Sequence, residues 1–428
     1  MGRISDDVNA AIAGVYRQDT NVTVRDLVEH TCAFRRFLQL TGEAMEHIPS
    51  SPELFLRVYE DVHYERIREY VQGCFGERRF VPLDPLYAAD TVEVKLLGRL
   101  DGMLVDYHQV STDVFNYGIP TLRKVESATK AGLLGENSIL VILMDRDKQD
   151  WKAWTLTGDF SENAEDLRKD ATYLKRLAEG RASEFGTATR AVCAECPYKQ
   201  VCTAEVLPPG TSYSPEGIRV IPDSRIIEAL DAYLWGLNKP RKFDNAFHPS
   251  EYTTQKCDLR LAFGLKGVER REKIDPKLRR IFNAGHSTHD VIQTALAYAR
   301  KDEYRAEVRV VHEDLSIHGS CDGVSGTRGE EYKSIGLNGF KKLTGPKKEH
   351  KEQATSYVSV LELDGVDYFY VCKETGEFRE YALTLDKPVW HKTASRLAAI
   401  KKTVSMGSMP SPMRAYHCNE CPYAWTCK

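Results

Sequence analysis

Eight of the eleven cysteines in this 428-residue chain fall into two sets with the same spacing. In each set, three cysteines form a C-x2-C-x5-C segment, and a fourth lies 161 residues before it. The first set is Cys32, Cys193, Cys196 and Cys202, and the second is Cys257, Cys418, Cys421 and Cys427. Thiols at such spacing can bind a metal, carry an iron–sulfur cluster or form disulfides.

The compartment in which the protein is expected to reside decides which of these chemistries its thiols can undergo. The opening residues MGRISDDVNAAIAG lack the basic and apolar regions of a secretory signal, and no run of 18 apolar residues predicts a membrane span. We therefore expect an intracellular, cytoplasmic protein whose thiols stay reduced. Cys74, Cys321 and Cys372 stand alone and are typical of small core residues.

Three interpretations of the paired sets remain: zinc, ordinary thiols and iron–sulfur clusters. Structural zinc sites usually draw on two close cysteine pairs, which a lone cysteine and a remote triplet match poorly. Four thiolates that include a compact triplet suit a [4Fe–4S] cluster better, so we predict two such clusters. Each cluster would join the two ends of its unit and stabilise that unit by closing a long loop.

The constant offset between the two sets predicts an internal duplication with a linker between the copies. The segment EVLPPGTSYSPEGIRVIPDS is rich in Pro, Gly and Ser, and DSRIIEALDAYLWGL has helical spacing with Asp223 or Ser224 as its cap. We therefore divide the chain into a first domain at 1–205, a linker with one helix at 206–247, and a second domain at 248–428.

Acidic and basic side chains occur at strand spacing in the second domain. GEEYKSIGL places Glu331 and Lys333 two residues apart, so on a strand both point to the same face. The segment before it carries Asp322 in a Gly-x-x-Asp-Gly setting. A neighbouring Glu and Lys can be a surface ion pair of little consequence. Two carboxylates and a lysine are also what metal-assisted phosphodiester cleavage requires, because the carboxylates bind a hard divalent cation and the lysine stabilises charge.

Two predicted helices accompany these strands. The first, in DPKLRRIFNAGHSTHDVIQTALAYAR, begins at Pro276 with Asp275 as its cap. Its predicted inward stripe comprises Leu278, Ile281, Phe282, Gly285, His289, Ile292 and Leu296. A lone inward histidine is more often a core residue than a ligand. The second, in HKEQATSYVSVLELDG, places Gln353 and Tyr357 on one face.

Taken in order, these motifs resemble the iron–sulfur branch of the PD-(D/E)XK nucleases, which includes RecB-like and AddB-like nuclease domains and CRISPR-associated exonucleases. The order is Cys257, Gly285-x3-His289, Gly319-x2-Asp322-Gly323, Glu331-x-Lys333, Gln353-x3-Tyr357 and Cys418-x2-Cys421-x5-Cys427. The resemblance covers about residues 248–428. It implies an α/β fold with two tandem domains, each a mixed sheet flanked by helices, stapled by a four-cysteine cluster and carrying any metal site at the sheet edge.

The resemblance also implies the roles of individual residues. The ligands of Mg²⁺ or Mn²⁺ would be His289, Asp322, Glu331 and the carbonyl group of Tyr332. Lys333 would serve the attacking water, and Gln353 and Tyr357 would contact the DNA.

The first domain keeps only part of this pattern. His63 lies on a predicted helix near the place of the metal-binding histidine, and Asp101 ends a matching Gly-x-x-Asp-Gly turn. Glu126 corresponds to the acidic residue of Glu-x-Lys, but Ala128 stands where the lysine should be, and Lys130 could reach back from a helix. No Gln-x3-Tyr follows. We therefore expect a degenerate site in a domain that is catalytically dead or impaired and has a structural or DNA-guiding role.

The charge distribution favours the second half as the DNA-binding part. Residues 1–225 contain 27 Lys and Arg against 35 Asp and Glu, a balance of −8, whereas residues 226–428 contain 32 against 27, a balance of +5. The basic stretches KGVERREKIDPKLRR and KKLTGPKKEHK stand out. Such runs are usually only solvated faces, but the second lies between two site motifs and could line the path of a polyanion.

Two motifs that the sequence lacks exclude further classes of enzyme. There is no Gly-x4-Gly-Lys-[Ser/Thr] for nucleotide hydrolysis and no Gly-x-Ser-x-Gly elbow. We predict a metal-dependent DNA nuclease, specifically a single-stranded DNA exonuclease acting with recombination, repair or CRISPR-adaptation proteins and without a membrane. One alternative is a non-catalytic DNA-binding or scaffold protein built from retired nuclease domains. A two-cluster electron-transfer protein is another, but it leaves Glu331-x-Lys333 unexplained.

Overall fold

The computed structural model describes residues 4–18, 22–23, 51–88, 92–178, 214–240, 244–254, 257–413, 418 and 421–427. The chain divides into an N-terminal unit, Ile12–Tyr233, and a C-terminal unit that combines Met1–Ala11 with Leu234–Lys428. The first cysteine set, Cys32, Cys193, Cys196 and Cys202, lies outside the described residues. No helix in the described part has both the length and the apolar content needed to cross a membrane.

The N-terminal part of the chain alternates between helices and short strands. Its helices are α1 (Ile4–Gln18), α2 (Ser51–Phe75), α3 (Thr112–Asn116), α4 (Thr121–Leu133), α5 (Ser161–Ala178) and α6 (Ser224–Gly236). Its strands are β1 (Val22–Thr23), β2 (Phe80–Pro82), β3 (Leu86–Ala88), β4 (Val92–Val94), β5 (Gly98–Leu100), β6 (Met103–Val110), β7 (Ser138–Asp145), β8 (Trp151–Thr157) and β9 (Arg219–Pro222).

A six-stranded mixed sheet of order β2-β5-β6-β7-β8-β9 organises the N-terminal unit, beside a small sheet of order β1-β4-β3. In the larger sheet, β6 and β7 are parallel and α4 connects them, whereas the other neighbours are antiparallel. The sequence of β7, SILVILMD, is buried along nearly its whole length, which suits a central strand covered on both faces. Its core includes Leu104, Ala128, Ile139, Val141, Leu156 and Phe160.

Part of the predicted linker belongs to this sheet. Strand β9 pairs with β8 as the edge strand, and the predicted helix follows at once as α6. The N–H of Arg225 donates to Asp223 Oδ1 over 3.3 Å, so Asp223 provides the predicted cap. The boundary between the units falls after Tyr233, inside the segment 206–247 that composition alone marks as a linker.

The C-terminal unit contains a five-stranded mixed sheet of order β10-β11-β12-β13-β14. The strands are β10 (Tyr304–His312), β11 (Ile317–Ser325), β12 (Arg328–Ile335), β13 (Gly365–Cys372) and β14 (Phe378–Thr384). The helices are α7 (Pro249–Tyr252), α8 (Asp258–Leu265), α9 (Pro276–Arg300), α10 (Leu337–Lys341), α11 (Lys348–Val360) and α12 (Lys387–Ser405). Strands β12 and β13 are parallel and joined by α10 and α11, and the remaining pairs are antiparallel. Each unit is therefore α/β, with a mixed sheet flanked by helices.

Helix α9 begins as expected, and the predicted inward stripe is confirmed only in its second half, where Ile292 and Leu296 are buried. The Asp275 side chain accepts a hydrogen bond from the N–H of Leu278 over 2.9 Å, as its predicted capping role requires. Leu278 and Phe282 of the predicted inward stripe are nevertheless exposed. Smaller side chains form much of the buried face, which comprises Arg280, Asn283, Ala284, Ser287, Thr288, Val291, Ile292, Ala295 and Leu296. Small residues let the helix approach the sheet closely.

The first residues of the chain complete the C-terminal unit. The main-chain N–H groups of Ile4 and Ser5 donate to the two carboxylate oxygens of Glu380 on β14, over 3.1 and 2.6 Å. A carboxylate at this place satisfies N–H groups that the first turn of α1 leaves free and complements the helix dipole. Asp7 also accepts a hydrogen bond of 2.7 Å from Arg300 at the end of α9.

Candidate metal centre

The candidate site lies where β11 and β12 separate. Their ladder ends at the pair Gly323–Glu330, while β11 continues beside β10 and β12 continues beside β13. Beyond that pair, the N–H of Tyr332 donates to Asp322 Oδ2 over 2.8 Å. The carbonyl oxygen of Tyr332 accepts from Nε2 of His289 on α9 over 3.0 Å. Side chains thus replace main-chain partners and keep the strands apart.

Three carboxylates follow one another across three neighbouring strands. The pairs that flank Glu307 in β10 and β11 place it opposite Asp322, although the two do not form a regular pair. Continuing the β11–β12 register one step beyond its last pair places Asp322 opposite Glu331. We call Glu307, Asp322 and Glu331 the acidic row. Nδ1 of His289 lies 3.6 Å from Asp322 Oδ1. Ligand atoms of His289, Glu307 and Asp322 all lie within 4.8 Å of one another, as the ligands of a single ion do.

Glu331 is the most deeply buried member of the acidic row. Its side chain is 1% exposed; Oε1 forms an ion pair with the ammonium group of Lys333, and Oε2 accepts no hydrogen bond. Burial, followed by the charge of Asp322, raises the pKa of Glu331 to about 7. Burial likewise raises the pKa of Asp322 to about 6. A buried carboxylate oxygen without a hydrogen-bond donor is costly, and a divalent cation bound to Glu331 and Asp322 would remove that cost.

Lys333 and His289 differ in charge at neutral pH: the lysine is a cation and the histidine is neutral. Burial alone would lower the pKa of Lys333, but Glu331 and Asp322 raise it above its usual value, so Lys333 remains an ammonium group at neutral pH. Burial and then the charge of Lys333 lower the pKa of His289. A neutral imidazole is the form that binds a metal ion, so both states suit a cation site beside a fixed positive charge.

Gln353 and Tyr357 lie beside the acidic row. Gln353 Nε2 donates to the hydroxyl oxygen of Tyr357 over 2.9 Å, in agreement with their predicted shared face of α11. Tyr357 is 5% exposed, and burial, followed by the charge of Glu331, raises the pKa of its hydroxyl group. Tyr357 therefore presents a neutral hydroxyl group close to the carboxylates.

At both glycines of the Gly-x-x-Asp-Gly motif, neighbouring side chains leave little room for a Cβ atom. A Cβ atom at Gly323 would lie 2.5 Å from the hydroxyl oxygen of Tyr332 and 2.8 Å from the ring of Tyr304. A Cβ atom at Gly319 would lie 3.1 Å from Pro249 and 3.2 Å from Tyr357. The absence of side chains on both sides of Asp322 thus lets aromatic rings from three other elements pack at the site.

Two residues of this site do not belong to the predicted set. Glu307 is an acidic residue on an edge strand, and Gln293 lies one turn after His289 on α9. Gln293 Nε2 lies 2.8 Å from Glu307 Oε1 and 2.9 Å from the Asp322 carbonyl oxygen, and it donates to both. The four-residue spacing from His289 marks Gln293 as a helical neighbour. Only the strand register brings Glu307 to the site.

The second cysteine set surrounds the contact between α8 and the C-terminal segment. Cys257 is the N-cap residue of α8. The Tyr423 ring is buried with its centroid 5.3 Å from that of Phe263 on α8, and the Pro422 carbonyl group accepts from the N–H of Arg271 over 3.1 Å. These contacts bring the end of the chain, with its three cysteines, to the beginning of the predicted second domain.

The thiols of this set are neighbours. Burial raises the pKa of the Cys427 thiol, and the charges of Cys257, Cys421 and Cys418 raise it further. Among the described residues, however, no group of three cysteine sulfurs lies within the 4.8 Å that the ligands of one ion would share. All four are free thiols.

The N-terminal sheet contains a counterpart of the Glu-x-Lys strand. Strand β6, like β12, has an antiparallel neighbour on one side and, on the other, a parallel neighbour reached through a helix. The His63 ring on α2 lies 6.3 Å from that of Tyr107, just as the His289 ring lies 5.8 Å from that of Tyr332. The Asp106-Tyr107-His108 segment therefore occupies the place of Glu331-Tyr332-Lys333.

Asp101 does not take the place of Asp322. It lies exposed in the turn between β5 and β6, has a φ of 49°, and forms an ion pair of 2.6 Å with Arg79. Continuing the β5–β6 register by one step places the buried Leu97 opposite Asp106. The first domain thus has leucine where the second has its central carboxylate. The matching Gly-x-x-Asp-Gly letters fall on a different part of the hairpin.

A closed ion-pair cluster occupies the remaining space. Lys130 Nζ lies 3.1 Å from Asp106 and 2.9 Å from Glu126, between the two carboxylates. Arg123 holds the other oxygen of Glu126 at 2.7 Å, and Ser127 Oγ donates to Asp106 over 2.7 Å. Burial would raise the pKa of Asp106, but Lys130 and His108 lower it to about 2. An ammonium group already neutralises the carboxylates here.

His63 lies on the other face of the sheet. Its ring stacks on Tyr59, and its Nε2 lies 3.4 Å from Met144 Sδ. Burial lowers the pKa of His63 to about 3, so the side chain is neutral at physiological pH. Of the four residues predicted for a degenerate site, the structure brings together only Glu126 and Lys130. His63 is separate from them because it packs on the face of Tyr107, whereas Asp106, the next residue along β6, points to the opposite face. Asp101 is separate because it lies in the exposed turn before β6.

Comparisons with known proteins identify no family for this chain and find a structural similarity of low TM-score. No protein-family model and no curated protein matches the chain. A solved structure titled "Crystal structure of SSO0001" aligns with a TM-score of 0.31 and 15% sequence identity, over 45% of this chain and 91% of that chain.

Proposed function

We propose that the C-terminal unit is a metal-dependent deoxyribonuclease of the PD-(D/E)XK type. The observation that carries this proposal is the buried Glu331 carboxylate, whose Oε2 accepts no hydrogen bond and whose Oε1 contacts the ammonium group of Lys333. Continuing the β11–β12 register one step beyond its last pair places this carboxylate opposite Asp322. A structural ion pair would be expected to satisfy its carboxylate with further donors. A buried carboxylate oxygen without a donor, beside a retained ammonium group, is typical of a site that binds a cation and a polyanion.

The residues present fit Mg²⁺ or Mn²⁺. Asp322 and Glu331 offer carboxylate oxygens, the Tyr332 carbonyl group is directed to the same place, and His289 offers a neutral imidazole nitrogen. Oxygen-rich sites select Mg²⁺ or Mn²⁺, and one imidazole favours Mn²⁺. When bound, the cation supplies Lewis-acid stabilisation of the phosphate oxygens.

The protein's own groups account for the rest of hydrolysis. The Lys333 ammonium group orients the attacking water and stabilises the negative charge that develops on the phosphate. The water oxygen forms a new bond to phosphorus, the bond from phosphorus to one deoxyribose oxygen breaks, and that oxygen leaves as a hydroxyl group after taking up a proton that replaces the one lost by the water. Tyr357, held by Gln353 at 2.9 Å, offers its neutral hydroxyl group as a donor to the DNA backbone. Burial of the carboxylates keeps water from weakening these interactions.

Single-stranded DNA is the proposed substrate. The stretch KKLTGPKKEHK leads from the end of α10 into α11, and five of its lysines are exposed, namely Lys341, Lys342, Lys347, Lys348 and Lys351. The same helix α11 carries Gln353 and Tyr357. Exposed lysines on and before the helix that carries Gln353 and Tyr357 can hold the phosphates of a strand that enters the site.

The proposed cofactors also include two [4Fe–4S] clusters. The contact of Tyr423 with α8 supports a cluster in the second set, because it brings the C-terminal cysteines towards the helix that Cys257 caps. Each iron of a cluster binds its own cysteine, so its thiolates stand farther apart than the ligands of one ion. The cluster would staple the end of the chain to α8.

A nuclease assay with matched lysine variants tests the proposal. The full chain, purified without oxygen, is incubated with end-labelled single-stranded DNA and Mn²⁺ or Mg²⁺. Lys333→Ala should lower the cleavage rate at least about a hundredfold, because it removes charge stabilisation from the transition state. Lys392→Ala, on the exposed face of α12, serves as the control and should cut at the wild-type rate. Equal cleavage by Lys333→Ala and wild type would show that the site is wrongly assigned.

A non-catalytic DNA-binding protein is the second candidate. The closed cluster of Asp106, Glu126 and Lys130 favours it for the N-terminal unit, because the carboxylates there are already neutralised. We propose a structural or DNA-guiding role for that unit. Binding of Mn²⁺ and DNA by the full chain, without cleavage of single-stranded, double-stranded or RNA substrates, would extend this second candidate to the whole protein.

A further inference from the structure

Glu307 has an unusual backbone for its position in a strand. Its φ is 48°, in the left-handed region that non-glycine residues avoid, and the regular pairing of β10 and β11 skips it. A backbone of this kind persists only where surrounding contacts hold it, and it is frequent at ligand sites. The distortion directs the Glu307 carboxylate to His289 and Asp322.

Two donors fix the carboxylate in that position. Gln293 Nε2 donates to Glu307 Oε1 over 2.8 Å, and Ser320 Oγ donates to Glu307 Oε2 over 2.7 Å. The same Gln293 nitrogen donates to the Asp322 carbonyl oxygen over 2.9 Å. Glu307 is exposed to solvent, yet these bonds hold it against α9 and β11.

This arrangement is unfavourable without a cation. Like charges that stand directly opposite each other on neighbouring strands destabilise a sheet. Asp322 faces such a charge on both sides, from Glu307 and from Glu331. The buried Glu331 Oε2, which accepts no hydrogen bond, is an independent sign that a positively charged ligand belongs at the acidic row.

We infer that Glu307 is a further ligand of the divalent cation, on the opposite side of Asp322 from Glu331, and that Gln293 is the positioning residue that holds it there. This inference rests on the proposed function, because it assumes a cation at His289 and Asp322. It extends the ligand set expected from the resemblance by one carboxylate from the edge strand β10. The acidic row then acts as one ligand set.

The test measures Mn²⁺ binding to the full chain by isothermal titration calorimetry, with DNA absent. Glu307→Gln should weaken binding at least about tenfold, because it replaces a charged ligand by a neutral amide. Gln293→Ala should weaken binding roughly tenfold, as the loss of a residue that orients a ligand does. Glu362→Gln is the matched control: Glu362 is also an exposed glutamate with positive φ, at 56°, but it follows α11 outside the site, and its variant should bind as wild type does.

Thermal unfolding provides a second measurement that a merely structural role would not reproduce. Without metal, Glu307→Gln should unfold at or above the wild-type temperature, because it removes a repulsive pair. With saturating Mn²⁺, the rise in unfolding temperature should be smaller for Glu307→Gln than for wild type. A glutamate that only supports the strand would lower the unfolding temperature under both conditions, and that result would overturn the inference.

The outcomes separate this inference from the proposed function. If wild type binds Mn²⁺ and cleaves DNA while Glu307→Gln binds Mn²⁺ equally well, the inference is wrong and the nuclease proposal stands. If wild type neither binds Mn²⁺ nor cleaves DNA, the nuclease proposal fails, and this inference fails with it.

Discussion

The N–H of Tyr332 donates its hydrogen bond to the carboxylate of Asp322, 2.8 Å away, and not to the main chain of β11. This bond ends the ladder between β11 and β12 at the point where the acidic row crosses the sheet. It also turns the Tyr332 carbonyl group to His289. The separation of two strands therefore creates the candidate metal site, and residues that control the separation should control the function.

Gly323 is the first such residue. Gly323→Ala should lower both nuclease activity and stability, the latter by about 1–3 kcal/mol, because the new methyl group would overlap the rings of Tyr332 and Tyr304. Cleavage assays and urea unfolding measure the two effects. Gly345→Ala, where a Cβ atom meets nothing within 4 Å, provides the control. Wild-type activity in Gly323→Ala would mean that the Tyr332 ring does not need its observed position.

Two aspartates of the N-terminal unit should differ sharply. Asp106→Asn should lower the free energy of unfolding by about 3 kcal/mol, because it leaves the buried Lys130 without one of its two carboxylates. Asp101→Asn should cost less than about 1 kcal/mol, since its ion pair with Arg79 is exposed and asparagine accepts a positive φ. Hydrogen exchange in β6 and α4 would locate the loss. Equal effects would mean that the cluster is not the stable centre of this unit.

His63 should make the N-terminal unit sensitive to acid. The native pKa of about 3 lies below the usual 6.5, so the unfolded chain binds a proton that the native state does not bind between these values. The contribution of His63 to the free energy of unfolding is complete above pH 6.5, and it falls by about 1.4 kcal/mol per pH unit as the pH decreases towards 3. His63→Gln should lack this slope in urea unfolding between about pH 7 and pH 5, whereas His391→Gln, at an exposed position on α12, should keep it. An unchanged slope in His63→Gln would contradict the burial of a neutral ring.

Iron content should distinguish the paired cysteines from the isolated ones. Wild type purified without oxygen should be brown and contain about eight irons and eight sulfides. Cys257→Ser should lose about half of the iron and loosen the C-terminal segment from α8. Cys74→Ser should keep all of it, because the Cys74 thiol only donates to the Ala229 carbonyl group. Colourless, iron-free wild type with its full structure would refute both predicted clusters.

The sequence by itself determined whatever depends on neighbours along the chain. Two-residue spacing placed Glu331 and Lys333 on one face of a strand, four-residue spacing placed Gln353 beside Tyr357, and Asp275 capped its helix, because each relation follows from the local geometry of a strand or a helix. The order of motifs likewise indicated where the C-terminal site would form.

Tertiary structure decided which residues stand opposite one another. Glu307 reaches the site only through the register of β10 and β11, and Leu97, not Asp101, faces the strand that carries Asp106. Register is set by pairing between distant segments and by which faces they bury, and a shift of one residue exchanges the two faces. Both domains contain the pattern Gly-x-x-Asp-Gly. Because their hairpins differ in register, one aspartate lies in the candidate metal site and the other lies in an exposed turn.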